Sequence, residues 1–151
     1  MTALLGLDVG ERRIGVAIGH QESGGARPLL TLTRTTPERE AAALRTLAAE
    51  HGVTELVIGL PLDSRGGIGP QAASIQAWAA AVMPLVGLPV AWRDERHTSQ
   101  GAEARIGGAP RGRSGGPPSP AARKAYRARV DREAAASILQ AELDARSGVR
   151  A

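Results

Sequence analysis

Three acidic residues occupy positions that a surface carboxylate would not choose, and together they suggest a chemistry. Asp8 closes the apolar run Leu4-Leu5-Gly6-Leu7 and precedes Val9-Gly10. Such an acid either forms a turn or aims its carboxylate off a strand end into a site. Glu95 follows the apolar stretch Pro89 to Trp92, and ligand sites in α/β sheets gather beyond the carboxyl ends of strands. Its neighbour Asp94 points the opposite way if the strand persists, so only one of the two can share a site with Asp8. Asp131 lies three, four and seven residues before Ala134, Ala135 and Ile138, on the apolar face of the last expected helix. An ionised carboxylate there needs a partner, either an arginine such as Arg96 or a metal ion.

Three carboxylates from distant segments form an all-oxygen donor set, which suits a hard cation, Mg²⁺ or Mn²⁺. The chain has no cysteine, which excludes disulfides, thiol nucleophiles and thiolate-bound zinc. Two such ions about 3.5–4 Å apart activate water and stabilise the leaving oxygen in phosphodiester hydrolysis. The charge map agrees. From Arg105 to Arg132 eight basic residues face one acid, Asp131, a net +7, while the rest of the chain carries −3. An acidic centre beside a basic segment points to a polyanion.

The elements that must position these groups read as an α/β layered domain with a mixed sheet. Ala3 to Asp8 and Ile14 to Ile18 are expected to pair as a β-hairpin around Gly10 to Arg13, with a third strand at Leu29 to Thr33. Thr36 caps a helix with Pro37 in its first turn and Gly52 at its end. Glu38 and Glu40 are expected in that first turn, and with Glu50, Glu55 and Glu142 they read as solvated acids. Leu56 to Leu60 reads as a strand buried on both faces, followed by a helix from Pro70 to about Met83 that Pro84 and Gly87 stop. Pro89 to Trp92 is the next strand, and Ser99 to Ile106 contributes one or two helical turns. Residues 107–120, with five Gly, four Pro and two Arg, read as a mobile basic loop. Ser119-Pro120 opens a final helix to about Arg146, so one domain spans 1–146 and a tail follows at 147–151.

Composition narrows the alternatives. The single lysine, Lys124, stands against 18 arginines, whose planar forks suit phosphate. Trp78, Trp92 and Tyr126 are the only aromatic residues, too few for a stacking platform. Charged residues interrupt the N-terminal apolar run, which argues against a secretory signal, and Gln71, Ser74, Gln76, Pro84 and Pro89 break up the uncharged stretch 66–92. A soluble cytoplasmic protein is expected.

The blocks Leu5-Gly6-Leu7-Asp8-Val9-Gly10 and Arg13-Ile14-Gly15-Val16-Ala17 resemble the opening of the YqgF/RuvX family. Val57-Ile58-Gly59-Leu60-Pro61-Leu62 with Gly66, then Asp94-Glu95-Arg96 with Thr98, resemble its middle. Asp131 with Ala134-Ala135 and Ile138-Leu139-Gln140 completes the set, in order over nearly the whole chain. The resemblance implies an RNase H-like mixed sheet, an antiparallel hairpin and third strand followed by parallel strands, flanked by helices and similar to the RuvC junction resolvases. It implies a metal-dependent nuclease using one or two Mg²⁺ or Mn²⁺ ions. Its substrate would be the 5′ end of pre-16S rRNA, with a Holliday junction as the alternative. The family's acidic positions fall on Asp8, Glu95 and Asp131 as catalytic and metal-binding residues. Arg13 and Arg96 match family positions and would contact phosphate or orient a carboxylate. Asp63 and His97 depart from the family pattern, and Ala134 stands where related sites often carry a fourth acid. Arg123, Lys124, Arg127 and Arg129 form a broad phosphate-binding collar near Asp131 or a plain solvated helix. The partner is expected to be nucleic acid, with no membrane and a possible homodimer. Two other readings are weaker: an actin-like or sugar-kinase ATPase, suggested by Asp8-x-Gly10 before a hairpin, and a non-catalytic RNA-binding protein.

Overall fold

A computed structural model describes residues 2–95 and 115–148. Strands β1 (Ala3–Val9), β2 (Arg13–His20) and β3 (Ala26–Thr33) form an antiparallel meander. Helix α1 (Pro37–His51), strand β4 (Val53–Leu60), helix α2 (Pro70–Val86) and strand β5 (Val90–Asp94) follow, and helix α3 (Pro120–Ser147) closes the described chain. The five strands make one sheet in the order β3-β2-β1-β4-β5, with β4 parallel to both β1 and β5. This is the mixed sheet expected from the sequence. The turns expected at Ser99 to Ile106, most of the loop at 107–120, and Arg96, His97 and Thr98 lie outside the described residues.

Period-two alternation sorts each strand into two faces. On β1, Leu5, Leu7 and Val9 enter the larger core with α1 and α2, while Leu4 enters a second core under α3. That second core is built from Leu4, Ala17 and Val57 against Ala135, Ile138, Leu139 and Leu143. The parity places Asp8 on the α3 face together with Leu4. It does the same for Arg13 on β2, which shares a face with Ala17, and for Glu95, two residues beyond Arg93 and four beyond Ala91.

Local rules account for the helices. Thr36 accepts from the Arg39 amide and Ser119 from the Ala122 amide, caps worth about 1 kcal/mol each. Gly52 and Gly87 end α1 and α2 in the left-handed conformation. Two expectations need correction. Helix α2 does not stop at Pro84 but runs on to Val86, where Val86 is buried and the Gly87 amide closes on the Met83 carbonyl. A proline in the last turn forfeits one intrahelical bond, and burial of the following residue outweighs it.

Glu40 is not a solvated first-turn acid. It is 3% exposed, and its carboxylate accepts from the Trp78 indole N–H at 3.0 Å, Arg34 Nε at 2.8 Å and the Thr35 amide at 2.9 Å. Burial opposes ionisation, but these donors prevail and hold the carboxyl below its ordinary range. Glu55 and Glu142 likewise meet Arg146 instead of standing alone.

Candidate active site

The α3 face of the sheet is paved with small residues, and this lets the helix backbone come close. A Cβ at Gly6 would lie 2.7 Å from Leu139 Cβ, and one at Gly15 would lie 1.9 Å from the Asp131 carbonyl oxygen. Side chains there would lift α3 off the sheet. In the β1–β2 register Asp8 pairs with Gly15, so the strand position beside Asp8 is the one that α3 covers with Asp131. The proximity of Asp8 and Asp131, 123 positions apart, is a product of that register and of one missing side chain. On the other side, β4 and β5 align Leu60 with Asp94, and the Glu95 amide continues the ladder to the Leu60 carbonyl at 3.2 Å. Gly59 leaves the space that Glu95 uses: a Cβ there would approach Glu95 Cδ to 2.8 Å.

Electrostatics ties the acids together in pairs. Burial and then the charge of Asp131 push the Asp8 carboxyl up to about 7. Burial, then Asp8 and Asp94, push Glu95 up to about 8. Asp8 is thus coupled to both of the other acids. Asp131 is engaged differently: Arg13 Nε donates to its Oδ2 at 2.6 Å, with the two side chains 23% and 21% exposed. Among the described residues, no group of three His, Cys, Asp or Glu side chains is already gathered around one ion-sized point.

Among the described residues the arginine that meets Asp131 is Arg13, while Arg96 lies outside them. That contact spans 118 positions and is made by the tertiary structure. Arg123, Lys124 and Arg127 line a cleft of about 390 Å³ with Arg12, Arg13 and Thr33. Arg129 does not line it. Asp63 lies near Glu95 along a second cleft, and its Oδ1 accepts from the Arg65 and Gly67 amides, so it shapes its own loop. Sequence reasoning missed Arg12, Thr33 and the service of Gly15 and Gly59. The alternation Gly15-x-Ala17-x-Gly19 was the available signal, a strand face left flat for a helix.

The donor chemistry fits a divalent cation. Burial and neighbouring acids raise two of the carboxyls, and a hard ion with oxygen ligands would relieve that repulsion. No helix among the described residues is long and apolar enough to cross a membrane.

A mixed five-stranded sheet of this order, flanked by helices, defines an RNase H-like fold. The structure is similar to RuvC of Thermus thermophilus in complex with a Holliday junction substrate, with a TM-score of 0.54, 18% identity, and 98% and 97% of the two chains covered. Residues 2–145 match the model of the RuvX family, described as Holliday junction resolvase. A Chloroflexus aggregans protein provisionally named a pre-16S rRNA nuclease is 47% identical over 143 residues, 95% of this chain and 94% of its own. A similarly named Moorella thermoacetica protein is 38% identical, with 93% and 94% covered. The chain belongs to the RuvX family. Family and fold together support an enzyme that hydrolyses phosphodiester bonds.

Proposed function

We propose that this chain is a divalent-metal-dependent nuclease acting on structured nucleic acid, with Asp8, Glu95 and Asp131 as its catalytic carboxylates. The observation that carries the reading is the convergence of the three acids on one sheet face, with Asp8 in register with the Gly15 on which Asp131 sits and Glu95 in the space left by Gly59. A pure binding protein gains nothing from three acids there, since each repels phosphate unless a cation intervenes. That argues against a non-catalytic RNA-binding role. Mg²⁺ or Mn²⁺ is the expected ion, singly or as a pair. When bound, it supplies an activated water and stabilises the leaving oxygen.

The chain's own residues do the remaining work. Asp8 and Glu95 are held close in a poorly hydrated setting, so their affinity for a cation exceeds that of solvated carboxylates. Arg13 fixes the orientation of Asp131 through one oxygen and leaves the other available. The substrate we favour is pre-16S rRNA, because relatives at 38–47% identity are named for it, and within it the 5′ end that the sequence resemblance implies. Branched DNA is the second reading, favoured by the family description and the RuvC likeness. A homodimer would present two such sites to a symmetric junction. An enzyme acting on an rRNA precursor would work in the cytoplasm.

The test is side-by-side cleavage of a structured precursor RNA and a four-way DNA junction with Mg²⁺, Mn²⁺ or EDTA. Asp8→Asn should abolish cleavage and leave binding intact or tighter. Undiminished cleavage by a clean preparation of the variant would remove the proposed centre.

A further inference from the structure

The cleft beside Asp131 carries an unusual charge pattern. Arg12 comes from the turn before β2, Arg13 from its first position, Thr33 from the end of β3, and Arg123, Lys124 and Arg127 from the first turns of α3. The lining contains no acid and no aromatic ring. Among the described residues Arg12, Arg123, Lys124 and Arg127 have no ion pair or side-chain hydrogen bond within the chain. Gathering five cations, of which only Arg13 has a counter-charge, disfavours the folded state through mutual repulsion, and a polyanion in the cleft reverses the sign of that interaction. Arg13 alone is committed, and only through Nε, so its two terminal nitrogens remain as donors on the cleft side.

We propose that this cleft holds the sugar–phosphate backbone of one nucleic-acid strand. Arg13 bridges it to the acidic centre, with Nε on Asp131 and its terminal nitrogens on a phosphate. The inference rests on the nuclease reading and adds the path of the substrate and a positioning residue. Guanidinium forks favour phosphate oxygens, and without aromatic lining the bases have nothing to stack on here. Binding is therefore indifferent to sequence, and the register of cleavage is set by the span between the Arg13 phosphate and the acids. Arg12 grips backbone only, because it touches no member of the acidic trio.

Binding of a fluorescein-labelled structured RNA in EDTA, read by anisotropy over a range of KCl, tests the cleft without any metal. Replacing Arg123, Lys124 and Arg127 together by Ala should reduce the slope of log K against log salt by about 2. Single methylphosphonate linkages scanned along the RNA then test the bridge. At one linkage, removing the charge should weaken wild type roughly tenfold and leave Arg13→Gln unaffected. Arg13→Gln should lower kcat as well as raise KM, whereas Arg12→Gln should raise KM alone. Arg13→Lys, which keeps the charge but loses the fork, serves if Arg13→Gln fails to fold. It should bind nearly as wild type and cleave more slowly.

An unchanged salt slope would overturn the cleft. Multiplicative losses at every linkage would overturn the bridge and leave Arg13 a support for Asp131. Displacement of the RNA by tripolyphosphate at equal charge concentration would make the cleft a site for free polyanions. If Asp8→Asn and Asp131→Asn both cleave normally, the nuclease reading fails, and the EDTA binding data still decide the cleft.

Discussion

Gly15 on β2 lies directly beneath Asp131 on α3, so close that a single added carbon at Gly15 would overlap the Asp131 carbonyl. The candidate centre depends on this contact, because Gly15 is also the register partner of Asp8. Backbone meets backbone at that point, and neither side has a flexible group that can yield.

Gly15→Ala should therefore cost about 3 kcal/mol in stability and displace Asp131. The measurement is chemical denaturation alongside cleavage. A variant with wild-type midpoint and rate would show that α3 adjusts freely, and the register argument would fall.

Gly59→Ala makes an informative contrast. Its added carbon would meet Ile138 Cδ1 at 2.4 Å and Glu95 Cδ at 2.8 Å, both side-chain atoms that can move. We expect a smaller loss of stability, about 1–2 kcal/mol, with a larger loss of activity because Glu95 is pushed from its place. Equal proportional losses in the two variants would mean that Gly59 is only a packing residue.

The raised carboxyls predict an unusual pH dependence in EDTA. Asp8 titrates near 3.8 unfolded and about 7 folded, and Glu95 moves from 4.5 to about 8. Folding therefore favours the protonated forms. Their contribution is complete below the unfolded values and is lost as pH rises through 7 and 8. Thermal melts should show wild type losing several kcal/mol, up to about 7, between pH 5 and pH 9. Asp8→Asn should flatten that decline, and Mg²⁺ should restore wild type at pH 8 more than it restores the variant. A decline identical in both proteins would show that Asp8 is already well solvated.

Glu40→Ala should behave in the opposite way, damaging the fold and sparing the chemistry. It strands the Trp78 N–H and the Thr35 amide and leaves Arg34 without its carboxylate, at a cost of about 3 kcal/mol, or roughly 6–12 °C in Tm. Because the Glu40 carboxyl lies below its ordinary range, its stabilisation is present above the unfolded value of 4.5 and is lost as acid protonates it. Metal affinity should not change, since Glu40 lies on the α1–α2 side of the sheet. Altered ion binding would show that the two faces communicate.

Local chemistry explains which features were legible in the chain alone. Strand and helix order, the Thr36 and Ser119 caps and the glycine stops are rules of near neighbours, and the structure obeys them. Where it departs, a distant residue intervened. Pro84 stays helical because Val86 finds a buried seat, and Glu40 leaves the solvent because Trp78 and Arg34 offer it donors.

The same division holds for the site. Sequence alone determined which acids were out of place, since a carboxylate at the end of an apolar run or on an apolar helix face conflicts with its own neighbours. It also determined that Asp94 and Glu95 turn to opposite sides, while the strand register decided that Glu95 is the one on the side of Asp8. Only the tertiary structure decided that Arg13 holds Asp131 and that the α3 cations join Arg12 and Thr33 around one cleft. Those pairings depend on how closely α3 approaches the sheet. That distance is set by the absence of side chains at Gly6 and Gly15, a quantity visible only when both surfaces are in place.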